Sequence, residues 1–353
     1  MPVDDRPADD AAATRPGVES PYRALLDALP QRRREATVDG VRTAVFEYGP
    51  EDGPTIVFVH GFRGDHHGLE PVAAHLPGFR VIVPDLPGFG SSDALRHATI
   101  DAYAGWLRAF VAAQAPAADG QRPAVLGHSF GSIVVAHAAA AGLEADRIIL
   151  MNPIATPALA GSNRLGSLLA LGYYRAAAAL PERAGLAVLG APPIVRGMSV
   201  FMAKTRDRQL LRWIHDQHDR YFSRYTSRQS VLEAFDASIR HTVGEVAARI
   251  PQPVQLIAAD RDDITPLAHQ HRLRARFPDA RLAVLTGVGH LVHYEQPAQA
   301  ARVIRRFLAE AQHGEPTSDR PTSDRPAPDG PAPDGPTSDG PALDGPAPDG
   351  PAS

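Results

Sequence analysis

The stretch PAVLGHSFGS at positions 123–132 holds Ser129 between Gly127 and Gly131, in the pattern G-x-S-x-G. A tight glycine turn would satisfy that pattern as well as a nucleophile would. Its flanks decide between the two: AVLGHS reads as a buried strand and SIVVAHAAAA as a helix. A serine on so sharp a strand-to-helix turn is held in a strained backbone conformation, with its hydroxyl raised above the sheet. Gly127 and Gly131 remove side chains that would collide there, and His128 fills the variable place before the serine. A serine hydroxyl is a poor nucleophile at neutral pH. It calls for a base, and the base calls for a group that orients it.

TGVGHLVHYEQP places His290 just past the last strand candidate, after two glycines that free the loop to reach inward. With fifteen histidines in the chain, it is the position that counts: last in order, ahead of a final helix AARVIRRFLAEAQ. His293 is the close competitor. The orienting carboxylate should follow another strand, and PVQLIAADRDDITP supplies Asp260, Asp262 and Asp263. Asp260 stands at the strand end, where it could equally cap the turn; Asp262, two residues into the loop, can lean toward His290. The strand RIILMNP ends on Asn152 and Pro153 and offers no carboxylate.

The elements that must carry these groups alternate. TIVFVHG (55–61), FRVIVPD (79–85), PAVLGHS (123–129), DRIILMNP (146–153), PVQLIAAD (253–260) and ARLAVLTG (280–287) are continuous apolar runs, as expected of parallel strands buried on both faces. IDAYAGWLRAFVAA and SIVVAHAAAAGL suit helices between them, which gives an α/β fold: a mostly parallel sheet with helices on both faces. ATVDGVRTAVFEYG predicts a hairpin turning at Asp39-Gly40. From 154 to 245 the rhythm breaks into a long helical stretch rich in Ala, Leu, Arg and aromatics, read as an inserted cap over the carboxyl edge of the sheet, where open α/β sheets bind ligands. The core is therefore expected at 35–153 and 246–313. The segment 1–34 is expected to be flexible with a short helix in YRALLDALPQRRR. Residues 314–353, built of Pro-Asp pentapeptides such as PAPDG, are expected to be disordered because they have almost no apolar side chains to bury.

Composition excludes several chemistries. With no cysteine, disulfides, thiolate metal sites and a thiol nucleophile are ruled out. The acidic N-terminus lacks the apolar core of a secretory signal, and the most apolar stretch, 165–190, is broken by Arg175 and by Pro181-Glu182-Arg183, so no stable membrane insertion and a cytoplasmic location are expected. The net charge of −4 is mostly tail, where seven Asp face two Arg from Pro316 onward, and no nucleic-acid partner is expected. Residues 204–228 mix basic and aromatic residues but read as the outer face of a cap helix. GDHH at 64–67 and HDQH at 215–218 lack a supporting ligand pattern, so no metal is expected.

Together HGFRG (60–64), PDLPGFGSS (84–92), GHSFG (127–131), AADRDDITP (258–266) and GVGHLVHYEQP (287–297) resemble the α/β-hydrolase fold superfamily, in its capped branch of esterases, lipases and carbon–carbon bond hydrolases. The family order Ser, Asp, His is kept. The resemblance implies Ser129 as nucleophile, Asp262 as orienting acid and His290 as base, though Asp263 stands where that family often has proline. It also implies an oxyanion hole made by the backbone N–H groups of Phe62 and Phe130, with His60 bracing the loop and Asp85 shaping a turn. The activity implied is hydrolysis, without a cofactor, of a carboxylic ester or similar activated carbonyl in a small, partly apolar substrate. The same triad serves carbon–carbon bond hydrolases, thioesterases, perhydrolases and acyltransferases, and the same fold serves non-catalytic binding proteins. A serine at 129 argues against epoxide hydrolase or haloalkane dehalogenase chemistry, for which the family uses a carboxylate.

Overall fold

The computed structural model describes residues 17–117, 120–157 and 164–310, all within the unit Met1–Gly314. The first sixteen residues and the tail at 314–353 lie outside the described residues. Eight strands form one sheet: β1 (Gln31–Val38), β2 (Val41–Tyr48), β3 (Thr55–Val59), β4 (Arg80–Pro84), β5 (Ala124–His128), β6 (Arg147–Met151), β7 (Val254–Ala259) and β8 (Ala280–Leu285), in the order β1-β2-β4-β3-β5-β6-β7-β8. β1–β2 and β2–β4 pair antiparallel, and every later pair is parallel. From β3 the chain first steps outward to β4, then returns to place β5 on the opposite side of β3. That reversal opens a crevice at the carboxyl ends of β3 and β5, the usual ligand site of an open α/β sheet.

The continuous apolar runs follow from burial on both faces. Val57 and Val59 of β3 join one core with Phe110 of α3 (Ile100–Gln114) and Ile133 of α4 (Phe130–Ala140). Their neighbours Ile56 and Phe58 join the other, with Val72 of α2 (Glu70–Ala73) and Ile304 of the C-terminal helix (Pro297–Ala309). β8 departs from the expectation, because as the outer strand it is covered only in part and buries Leu285 alone.

The N-terminal side also differs from the expected flexible segment. Only Arg23–Asp27 is helical (α1), and strand pairing begins at Gln31 rather than in the region of Ala36. The polar run QRRR gains its place through β2. Glu47, nearly buried, accepts from Arg34 at 2.6 Å, Arg80 at 3.1 Å and Arg32 at 3.3 Å. Burial works to raise the Glu47 pKa, and Arg34 and Arg80 outweigh it, leaving the carboxyl below its ordinary range. Ahead of α1, Tyr22 packs edge-on against Trp213 and donates to Tyr294 O at 2.6 Å, which ties this segment to the body. The hairpin turns at Asp39-Gly40 with positive φ at both residues (50° and 79°), as two-residue hairpin turns require.

Between β6 and β7 lie α5 (Arg164–Ala179), α6 (Glu182–Leu189), α7 (Pro192–Met202), α8 (Arg208–Tyr221) and α9 (Arg228–Arg240). Asp207 caps α8 through Gln209 and Leu210 N–H, and Ser227 caps α9 through Ser230 N–H. Glu182–Met202 taken together is long and apolar enough to cross a membrane by composition, with a mean hydropathy of 1.4. The break ahead of Pro192 divides it into helices of 8 and 11 residues, each short of the roughly 20 that span a bilayer. Replacing Phe58, fully buried at the centre of the sheet, by alanine is expected to cost about 3–5 kcal/mol in urea unfolding; a loss below 1 kcal/mol would contradict this account of the core.

Candidate active site

Ser129 follows β5 directly and precedes α4, with φ 53° and ψ −116°, a conformation a non-glycine residue adopts only under constraint. The constraint is close backbone packing. A Cβ at Gly131 would meet Val59 O at 2.3 Å, and one at Gly127 would meet Gly131 O at 2.3 Å. Glycine at both places lets the first turn of α4 press against the end of β3. Ser132 Oγ then bonds Ser129 O at 2.5 Å and receives Ile154 N–H at 3.2 Å, fastening the turn to the chain beyond β6.

His290, in the loop after β8, sets Nε2 2.8 Å from Ser129 Oγ and Nδ1 2.8 Å from Asp262 Oδ2. The three groups thus form one continuous relay. Asp262 accepts Ile264 and Thr265 N–H on Oδ1, each at 2.9 Å, and the Thr265 hydroxyl and Asn152 Nδ2 (2.9 Å) on Oδ2. Burial alone would raise its pKa; the His290 imidazole and the hydrogen bonds from His290 and Thr265 outweigh burial and hold the carboxyl well below the usual range. An ionised Asp262 accepts only, so the hydrogen between it and His290 sits on Nδ1, which in the neutral ring leaves Nε2 to accept from the serine hydroxyl. Of the competing carboxylates, Asp260 takes Gly287 N–H at 2.7 Å and closes the turn, while Asp263 pairs with Lys204 at 2.7 Å. His293 is buried beside His128, ring centroids 4.1 Å apart, and is not bonded to the serine.

Gly61 packs against Ser129, since a Cβ on it would lie 3.4 Å from the Ser129 Cβ. Phe62 follows, and Phe130 opens α4, where first-turn N–H groups have no acceptor within the helix. Both residues line, with Ser129 and His290, a cavity of ≈ 300 Å³ whose roof includes Tyr174, Met198, Met202 and Phe235 of the helices after β6. His60 Nε2 accepts Leu86 N–H at 2.8 Å and its Nδ1–H meets Gly61 O at 2.9 Å, so it braces the loop from below. Asp85 gathers His66 N–H, His66 Nδ1 and Ser91 N–H, each at 2.9 Å.

Three contributors escaped the sequence reading. Asn152, set aside there because it is not a carboxylate, holds Asp262 from the end of β6. Arg63 is fully buried beside the cavity. Glu295 accepts Gly289 N–H at 3.1 Å on one oxygen and the N–H groups of Lys204 and Thr205 (2.5 and 2.9 Å) on the other, joining the His290 loop to the α7–α8 connection. Only the position of Asn152 after a strand carried any signal. Of the two histidine pairs, only His218 lines the cavity. His66 and His67 spend their Nδ1 atoms on Asp85 and Asp65, and His215 and His218 both meet Ser199 Oγ at 2.6 Å.

Burial, reinforced by His290, pushes His128 down to about 3, and burial, reinforced by His215 and Arg196, does the same to His218. Burial with His128 and His218 depresses His293 as well. These groups take up protons on unfolding below pH ~6.5, so their share of stability is present above that pH and lost as pH falls toward 3. His67 has the opposite sign. Burial would lower its pKa, but Asp65 beside it raises it to about 9, so its share is full below pH ~6.5 and lost as pH rises through 9. The urea midpoint is therefore expected to peak at about pH 6.5–7 and to fall on both sides; a midpoint flat from pH 4.5 to 7.5 would refute the neutral-histidine account.

The comparisons agree with this architecture. An uncharacterized protein of Mycobacterium tuberculosis is 26% identical over 307 residues, covering 83% of this chain and 86% of its own. A thermophilic esterase from Thermogutta terrifontis superposes with a TM-score of 0.62 at 21% identity, over 79% of this chain and 98% of its own. The enol-lactonase from Burkholderia xenovorans LB400 does so with a TM-score of 0.63 at 20% identity, over 78% and 100%. A family profile matches residues 56–303, from β3 into the C-terminal helix and so across the whole rim that holds Ser129, Asp262 and His290; the chain belongs to the alpha/beta hydrolase family.

Proposed function

We propose that this protein is a serine hydrolase that cleaves a carboxylic ester of a small, largely apolar molecule through an acyl-enzyme. The observation that carries the reading is the relay from Ser129 Oγ to His290 to Asp262, with 2.8 Å at each step. His290 Nε2 takes the hydroxyl proton as Oγ attacks the ester carbonyl, and the imidazolium that forms is stabilised by Asp262 without proton transfer to it. The negative oxygen of the tetrahedral intermediate meets the N–H groups of Phe62 and Phe130, each such donor contributing about 3 kcal/mol in the transition state. The alcohol leaves with the proton from His290. Water then attacks the acyl-enzyme by the same route and releases the acid.

The cavity of ≈ 300 Å³ lies at the lower end of ligand pockets and its walls are aromatic and aliphatic. A cavity of this size favours short acyl chains over long ones. Initial rates across p-nitrophenyl esters are expected to favour acetate to hexanoate over palmitate; equal or faster cleavage of the palmitate would count against this volume. Ser129→Ala is expected to lower turnover by ~10⁶-fold and to abolish labelling by a fluorophosphonate. A residual rate within tenfold of the parent would overturn the assignment.

A further inference from the structure

Arg63 follows Phe62 in the loop after β3, and its side chain is fully buried. The guanidinium makes four hydrogen bonds, all to the helical segment above the sheet: Nε to Phe222 O at 3.0 Å, Nη1 to Tyr174 Oη at 3.3 Å, and Nη2 to Leu189 O at 2.7 Å and Ser223 Oγ at 3.1 Å. Its central carbon also lies 4.8 Å from the Phe222 ring centroid and 5.7 Å from that of Tyr225. Among the described residues no carboxylate comes within ion-pairing reach. A buried cation matched only by neutral acceptors is costly. A second cost lies in the backbone. Gly64 N–H bonds Gly61 O at 3.1 Å, closing a four-residue turn in which Arg63 takes φ 60°, a place turns normally give to glycine. Two unfavourable features at one residue persist only where the surroundings over-determine it. Here the surroundings are three separate pieces of the cap: α5, the end of α6, and the α8–α9 connection.

We infer that Arg63 is a positioning residue that couples the cap to the oxyanion loop: seated in three cap segments, its guanidinium holds the 61–64 turn so that the Phe62 N–H faces the reacting carbonyl. The inference rests on the serine-hydrolase reading above. It makes the donor geometry at Phe62 a property of the docked cap, so loss of the fork loosens the donor without touching Ser129, His290 or Asp262. Glycine at 63 relaxes the backbone and removes the tether; lysine keeps the charge but cannot form the planar fork.

The test uses the full-length protein, p-nitrophenyl butyrate as substrate, and a boronic acid as mimic of the tetrahedral state. Arg63→Gly and Arg63→Lys are each expected to lower kcat by about 10²-fold with KM nearly unchanged, and to weaken boronate binding while leaving butyrate binding intact. Parental kcat in either variant overturns the coupling. Where the Arg63 variants do not fold, Ser223→Ala decides. Removing one acceptor from the fork is expected to lower kcat about three- to tenfold, and an unchanged kcat sinks the proposal. Arg63 variants at parental rate alongside an inactive Ser129→Ala refute the coupling alone; an active Ser129→Ala refutes the serine reading and the coupling with it.

Discussion

The approach of α4 to the end of β3 is the contact on which the rest of the site depends. Val59 O and His60 O sit so near Gly131 that no side chain fits between them. That nearness forces Ser129 into its unfavourable backbone conformation and lifts its hydroxyl into the crevice where strand order reverses. It also brings the His60-Gly61-Phe62 loop alongside the serine. A single close approach thus places the hydroxyl and one of its two amide neighbours together, and Phe130, the other, comes with the helix itself. The strain is local, and its upkeep is spread over both cores that clamp β3 and β5.

Around this point the carboxyl rim of the sheet is largely buried, and Asp262, Glu295 and Arg63 each have a specific answer to their charge. Asp262 is met by four donors besides the imidazole. Glu295 is met by three backbone amides, and Arg63 by four neutral acceptors. The histidines without a carboxylate, His128, His218 and His293, are held neutral by burial. In so buried a setting a misplaced charge is expensive, so the polar groups are fixed in orientation as well as in position. The same burial strengthens any donor aimed at a developing anion.

The strands and the three relay residues were legible because each signal is local. A continuous apolar run, a glycine pair around a serine, and a histidine or aspartate just past a strand can be read within a dozen residues. Even so, choosing Asp262 over Asp260 drew on family resemblance as well as on reach. The actual reason, that Asp260 is occupied by Gly287 N–H, involves a residue 27 positions away. The first half of β1 was hidden because QRRR has no apolar alternation, and Arg32 and Arg34 are met by Glu47 on the neighbouring strand. Arg63, Asn152 and Glu295 were hidden for the same kind of reason. Their partners lie between 90 and 160 positions distant for the contacts that define them, and no pattern along the chain marks such pairs.

Glu295 and Arg63 fasten the roof at two separate margins. Through Glu295 the α7–α8 connection shares a carboxylate with the segment bearing His290, and Lys204 reaches across to Asp263 from the same connection. Lifting that margin would pull on the segment that bears His290, and lifting the other would pull on the 61–64 turn. Hinging the whole roof would therefore disturb both margins at once, whereas Met198 and Met202, which line the cavity on unbranched side chains, can turn without breaking either tie.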